Sequence, residues 1–203
     1  IAMATVSNYI FNNMSRIGND QCGISGRDAQ NNEFGTYSTT NYFANWCGMK
    51  KPIELDSVEL QLYQPNRYPF LMLDYVNEVV PGDYAKGYKN LTLNEWYFPV
   101  HFPGGPNMPG ALQLEALAQL LTVAITTLPG MKGKVTHALS HEVRFRKEVK
   151  PADKLEMEVK VISWKRGICV GKGIGYTDGE VAVEAKMTIT IPDILENFLP
   201  KKK

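Results

Sequence analysis

Hydrophobic positions follow regular periods only from about residue 53 onward. Alternating apolar and polar residues, bounded by turn signals, are typical of half-buried strands. The clearest alternation runs through Val181, Val183, Ala185, Met187, Ile189 and Ile191. On this basis the pattern predicts strands over 70–80, 86–93, 135–149, 154–164, 167–177 and 180–191.

One long helix is predicted between the two groups of strands. It spans 110–128, an apolar segment that ends at Pro129-Gly130. Asp56 and Glu59 also fit a capping box, which predicts a short helix over 56–63. Strands, one long helix and further strands predict an α+β domain, in which a curved antiparallel sheet surrounds a single central helix.

The long helix nearly reaches the length of a membrane span. Polar residues such as Gln113, Glu115 and Gln119 interrupt it, and a carboxylate at hydrocarbon depth is costly. We therefore interpret it as a helix buried in a protein core, with no membrane partner.

Residues 1–48 differ from the rest of the chain. They contain eight asparagines and seven interleaved aromatic residues, without a lasting period. We predict an N-terminal extension of unknown role, either packed through its aromatics or poorly ordered, followed by one domain over 49–203. No basic segment followed by an apolar one appears at the start, which favours a cytoplasmic protein.

Charge and cysteine content exclude several classes of function. The formal net charge is +1, so no overall basic excess indicates nucleic-acid binding. Cys22, Cys47 and Cys169 are too scattered for a disulfide framework or a zinc site. The GxGxG pattern at Gly171-Lys172-Gly173-Ile174-Gly175 lies between strand-like segments rather than before a helix, so we interpret it as a strand feature.

Candidate chemistry lies where a Pro/Gly-rich loop over 98–109 meets the long helix. The loop presents His101, and Pro109-Gly110 opens the helix. Free N–H groups at a helix start suit a carbonyl oxygen that gains negative charge. Glu115 follows on the helix in apolar surroundings, which suit a proton donor. At helical spacing, Glu115, Gln119, Thr122 and Thr126 lie along one side of the helix and form a polar line.

The segment HFPGGPNMPGALQLEALAQ resembles the signature of the FabZ-type 3-hydroxyacyl-acyl carrier protein dehydratases. QPNRYPFLMLDYV, VRFRKEVKPADKLEMEVKV and DGEVAVEAKMTI resemble further segments of that family, so the similarity covers about residues 53–192. The resemblance implies the hot-dog fold. It also implies dehydration of (3R)-3-hydroxyacyl thioesters to trans-2-enoyl thioesters in fatty-acid or related acyl biosynthesis.

The resemblance also assigns roles to single residues. His101 and Glu115 become the catalytic pair, and the Gly110 N–H becomes the donor to the thioester carbonyl. Three positions depart from the family pattern: Asn66 replaces a His, Val100 a Gly, and Ala152 the Gly of a turn. None of these changes removes a group that the chemistry requires.

The same resemblance implies partners but no cofactor or metal. The site is expected between two subunits of a homodimer, which can assemble further into a trimer of dimers. The substrate arrives on the phosphopantetheine arm of an acyl carrier protein. Residues 131–203 carry 15 basic and 10 acidic residues, and we predict carrier docking at Arg144, Arg146, Lys147 and Lys150.

Two other functions are compatible with the same fold. A thioester hydrolase on the same fold usually lacks the HFPxxPxMPG loop, which is intact here. A non-catalytic acyl-thioester-binding protein predicts loss of the His/Glu pair, which is also intact. The sequence leaves open the acyl-chain length, the pathway, and the choice between dimer and hexamer.

Overall fold

The computed structural model describes residues 52–199, which form one antiparallel sheet and one long helix. The strands are β1 (Ile53–Leu55), β2 (Tyr75–Val80), β3 (Tyr84–Asn90), β4 (His137–Phe145), β5 (Lys154–Lys165), β6 (Ile168–Thr177) and β7 (Glu180–Thr190). The helices are α1 (Gly110–Thr126) and α2 (Pro192–Leu195), with 3-10 turns at Leu60–Leu62 and Glu196–Phe198. The predicted extension over 1–48 lies outside the described residues and stays a prediction.

The sheet has the order β1-β2-β3-β5-β6-β7-β4, and all neighbouring strands are antiparallel. Helix α1 lies against it and contacts β2, β3, β5, β6 and β7. Twelve of its 17 residues are buried, among them the run from Leu120 to Thr126. The predicted α+β class with one central helix is therefore confirmed. Within residues 52–199, no helix is both long and apolar enough to cross a membrane.

The glycines of β6 allow α1 to approach the sheet closely. A Cβ added at Gly171 would lie 2.5 Å from Leu121 Cδ1, and one at Gly173 would lie 3.2 Å from Leu117 Cδ2. Side chains at these positions would push the helix away from the sheet. This confirms that the GxGxG pattern belongs to a strand.

Several predicted elements are shorter in the structure than in the sequence pattern, among them the short helix, β2, and β4, which has 9 residues within the predicted range 135–149. The capping box forms, since Asp56 Oδ1 accepts hydrogen bonds from the N–H groups of Val58 and Glu59, each at 2.8 Å. The residues after this capping box form turns and the 3-10 turn at Leu60–Leu62 instead of the predicted helix over 56–63. So short a segment before Pro65 cannot sustain an α-helix. Strand β2 begins at Tyr75 rather than at residue 70, because the side chain of Gln119 binds the preceding backbone.

Within residues 52–199, strand β4 is an edge of the sheet that pairs with β7 on one side only, and eight of its nine residues are exposed. Leu139 is 53% exposed and Phe145 is 50% exposed, although both are apolar. Unpaired backbone groups next to exposed apolar side chains are typical of a strand that another chain covers.

Candidate active site

A tight loop presents His101. The N–H of Asn107 donates to the His101 carbonyl (2.9 Å), and the N–H of Gly105 donates to the Phe102 carbonyl (3.0 Å). The N–H of Met108 then donates to the Val149 carbonyl (2.7 Å), which fixes the end of the loop to the segment before β5. The predicted loop is confirmed, and main-chain hydrogen bonds determine its shape.

The same loop selects the tautomer of the His101 ring. Nδ1 lies 3.0 Å from the carbonyl oxygen of Asn107. Since a carbonyl oxygen can only accept, Nδ1 carries the proton of the neutral imidazole, and Nε2 keeps a free lone pair. The ring also stacks on Phe102, with 4.2 Å between the ring centroids. His101 is thus prepared to accept a proton at Nε2.

Helix α1 begins immediately after this loop. Pro109 occupies the N-cap position without a side-chain cap, and its carbonyl accepts from the N–H groups of Leu112 and Gln113. Within the described residues, the first amides of the helix, those of Gly110 and Ala111, have no backbone partner. They can therefore hold an oxygen that gains negative charge.

Gly110 has no space for a side chain. A Cβ at this position would lie 2.6 Å from Cζ of the Phe145 ring. Glycine thus lets the end of β4 lie directly against the start of α1, and this contact places the open edge of the sheet beside the free amides.

Two side-chain amides hold Glu115. Gln119 Nε2 donates to Glu115 Oε1 at 2.8 Å, and Asn66 Nδ2 lies 3.5 Å from the same oxygen. Gln119 is buried and also binds the segment before β2, accepting from Met72 N and donating to Phe70 O, each at 2.8 Å. Glu115 itself is half-buried. Its carboxyl group is therefore oriented by neutral donors to Oε1.

The predicted polar line along α1 divides into two parts. Glu115 and Gln119 are joined, as described above, whereas Thr122 binds Thr136 through their hydroxyl groups (2.8 Å). The Thr126 hydroxyl donates to the Thr122 carbonyl (3.0 Å). The two threonines therefore have structural partners, and only Glu115 and Gln119 belong to the candidate site. Among the described residues, no hydrogen bond or ion pair joins Glu115 to His101.

Most of the predicted carrier-docking residues have acidic partners within the chain. Arg146 pairs with Glu184 (3.2 Å), Lys147 with Glu180 (3.0 Å) and Lys150 with Glu148 (3.2 Å). The hydrogen bond to Glu180 raises the pKa of Lys147 above its usual value. Of the four, only Arg144 has no ion pair within residues 52–199.

A cavity of about 530 Å³ lies at the start of α1, and Gln113 forms part of its wall. The other lining residues are Asn107, Met108, Gly110, Ala111, Phe145, Arg146, Lys147 and Glu148. Sequence reasoning missed Gln113 and Asn66 as site residues. In the sequence, Gln113 is distinguished only as a polar residue within an apolar helix. Asn66 is distinguished only because it replaces a His of the family pattern.

Residues 52–199 contain no group of three or more His, Cys, Asp or Glu side chains arranged to hold a metal ion. The features that remain at the site are one imidazole, one carboxyl group and a free helix start. Such a set can perform acid–base chemistry on a carbonyl compound.

Comparisons with known proteins agree with this chemistry. The family model of the FabA-like domain matches residues 64–186. The 3-hydroxyacyl-acyl-carrier-protein dehydratase FabZ of Clostridium novyi is 43% identical over 134 residues, which cover 66% of this chain and 94% of the relative. FabZ of Bacillus subtilis is 44% identical over 138 residues, which cover 68% and 98%.

Solved structures support the fold. The dehydratase heterocomplex ApeI:P from Xenorhabdus doucetiae matches with a TM-score of 0.58 at 15% identity, covering 70% of this chain and 97% of that one. The hot-dog fold expected from the sequence motifs is thereby confirmed.

Proposed function

The chain belongs to the FabZ-type dehydratases of the FabA-like family, and we propose that it removes water from (3R)-3-hydroxyacyl thioesters with His101 and Glu115 as its catalytic pair. The observation that carries this assignment is the hydrogen bond from His101 Nδ1 to the Asn107 carbonyl. It leaves Nε2 free to accept the C2 proton of the substrate.

The other groups of the site supply the remaining steps. The Gly110 N–H polarises the thioester carbonyl, which stabilises the negative charge that develops when the C2 proton leaves. Glu115 gives a proton to the 3-hydroxyl group, so that the C3–O bond breaks, water departs and a C2–C3 double bond forms. Side chains and one backbone amide thus complete the reaction without a metal, nucleotide or flavin.

A second copy of the chain completes the site in this proposal. The open edge of β4 and its exposed apolar side chains support an interface there, and Phe145 connects that edge to Gly110. His101 of one subunit would then act with the partner subunit's Glu115. The carrier-bound substrate would enter at this interface.

The test compares His101→Ala and Glu115→Gln with the wild type on 3-hydroxybutyryl and crotonyl thioesters. Each variant should lose at least about 10²-fold in turnover while remaining folded. Enoyl absorbance reports dehydration, and free thiol reports the alternative, hydrolysis. Thiol release by the wild type without an enoyl signal would replace dehydration with hydrolysis as the function.

Mixing the two inactive variants tests the shared site. Reassorted dimers contain one site with both intact residues, so part of the activity should return. If no activity returns although gel filtration and labelled subunits show exchange, the two residues act within one chain.

A further inference from the structure

Gln113 contains a buried amide oxygen that has no partner among the described residues. The side chain is 4% exposed, and its Nε2 donates to the Met108 carbonyl at 3.0 Å. Its Oε1 makes no hydrogen bond. Because a buried polar atom without a partner is unfavourable, this oxygen is a candidate acceptor for a donor group of a ligand.

The position of Gln113 limits which donor this is. It lies three residues after Gly110 on α1, hence on a neighbouring part of the helix surface, and both line the same cavity. The helix start offers N–H groups to an oxygen, whereas Gln113 Oε1 requires an N–H or O–H. The cavity is therefore suited to a ligand with an acceptor oxygen and, a few atoms away, a donor.

The ion pairs around the cavity disfavour an anionic ligand beside Gln113. Arg146 and Lys147 line the cavity, but Glu184 and Glu180 already pair with them, and Glu148 also contributes to the wall. An amide oxygen repels a phosphate or carboxylate group. The occupant beside Gln113 is therefore a neutral donor such as a secondary amide.

We propose that Gln113 Oε1 accepts a hydrogen bond from the first amide N–H of the thioester arm while the Gly110 N–H holds the thioester carbonyl. The inference rests on the proposed dehydratase function. In a pantetheine-type thioester, only the sulfur and two methylene groups separate the carbonyl carbon from that amide nitrogen. Four bonds join these two atoms, and an extended chain of that length can span the rise of about 4.5 Å between Gly110 and Gln113 on α1. Gln113 thus selects the arm rather than the acyl chain.

The experiment uses two substrates that differ in one group. They are the 3-hydroxybutyryl thioester of N-acetylcysteamine and that of O-acetyl-2-mercaptoethanol, in which oxygen replaces the N–H. Wild type should prefer the amide substrate in kcat/KM by about 3- to 10-fold, as expected for one neutral hydrogen bond. Gln113→Met also removes the hydrogen bond to the Met108 carbonyl, which can slow both substrates. The amide substrate should lose about 3- to 10-fold more than the ester substrate, so that the preference disappears.

Thr177→Val is the matched control. Thr177 also has a buried hydroxyl oxygen without a partner among the described residues, but it does not line the cavity. Its replacement should leave the substrate preference unchanged. Gln113→Leu provides a second apolar variant in case Gln113→Met does not fold.

The outcomes separate the two proposals. Equal loss on both substrates, or a wild type without preference, would overturn the role of Gln113 and leave dehydration intact. A wild type that dehydrates neither substrate, nor a carrier-bound one, would overturn the proposed function, and the inference with it.

Discussion

His101 and Glu115 are positioned in opposite ways. Main-chain groups hold His101: the Asn107 carbonyl orients its ring, and backbone hydrogen bonds shape its loop. Side chains hold Glu115, through the amides of Gln119 and Asn66. The activity should therefore tolerate side-chain substitutions around His101, the proposed base. It should be sensitive to side-chain substitutions around Glu115, the proposed acid.

The largest effect is expected from Gln119→Leu. The change removes the donor to Glu115 and leaves the carbonyl of Phe70 and the N–H of Met72 without their partner. We expect turnover to fall about 10²-fold, because Glu115 loses its orientation. The free energy of unfolding should fall by about 2–4 kcal/mol, measured by urea titration.

Gln61→Leu is the control for this variant, since within the described residues the Gln61 side chain donates only to the nearby backbone carbonyl of Ser57. It should change both quantities little. If Gln119→Leu behaved like Gln61→Leu, side chains would not position Glu115, and the contrast with His101 would disappear.

The next effect is expected from Gly110→Ala. Its Cβ would meet the Phe145 ring at 2.6 Å, so the start of the helix or the end of β4 must shift. We expect turnover to fall about 10-fold through the displaced amide. The free energy of unfolding should fall by about 1–3 kcal/mol.

Gly105→Ala, at the tip of the His101 loop, is the matched control. A Cβ there meets nothing within 4 Å. It should leave activity and stability nearly unchanged. The double variant Gly110→Ala/Phe145→Ala should recover part of the loss, and no recovery would mean that the Phe145 ring is not the cause.

A smaller effect is expected from Asn66→Ala, which removes the longer of the two hydrogen bonds to Glu115. Turnover should fall about threefold. Asn66→His should instead change the pH profile of turnover between about pH 6 and 7, where a histidine titrates beside the carboxylate. An unchanged profile would show that Asn66 does not act on Glu115.

Asn107→Ala is the control for this pair, because only the main chain of Asn107 contacts His101. Its turnover should stay within about twofold of wild type. A larger loss than in Asn66→Ala would reverse the comparison between the two catalytic residues.

The smallest effect on turnover is expected from Ala152→Gly. Ala152 has φ +74°, a left-handed conformation that favours glycine, and its N–H donates to the Leu91 carbonyl (2.7 Å). The variant should be more stable by up to about 1 kcal/mol in urea titrations, with unchanged turnover. Destabilisation would mean that the added freedom of the unfolded chain outweighs the relieved strain.

Local signals in the sequence predicted the elements that local interactions determine. Pro109-Gly110 indicated the start of α1, and alternation indicated β5 and β6 to within one residue. The late start of β2 was not predictable, because it depends on Gln119, which lies 47 residues further along the chain than Met72. The ion pairs of Arg146 with Glu184 and of Lys147 with Glu180 were not predictable either. Both glutamates lie on β7, and only the folded sheet brings them close to the two basic residues.

If a second copy covers strand β4, as proposed above, the stability of the fold depends on protein concentration. Where a second copy covers this nine-residue edge, folding and association are linked, and the melting temperature rises with protein concentration. Dilution should then lower heat resistance and specific activity together. An uncovered edge carrying Leu139 and Phe145 is also a template for unspecific strand pairing with other chains.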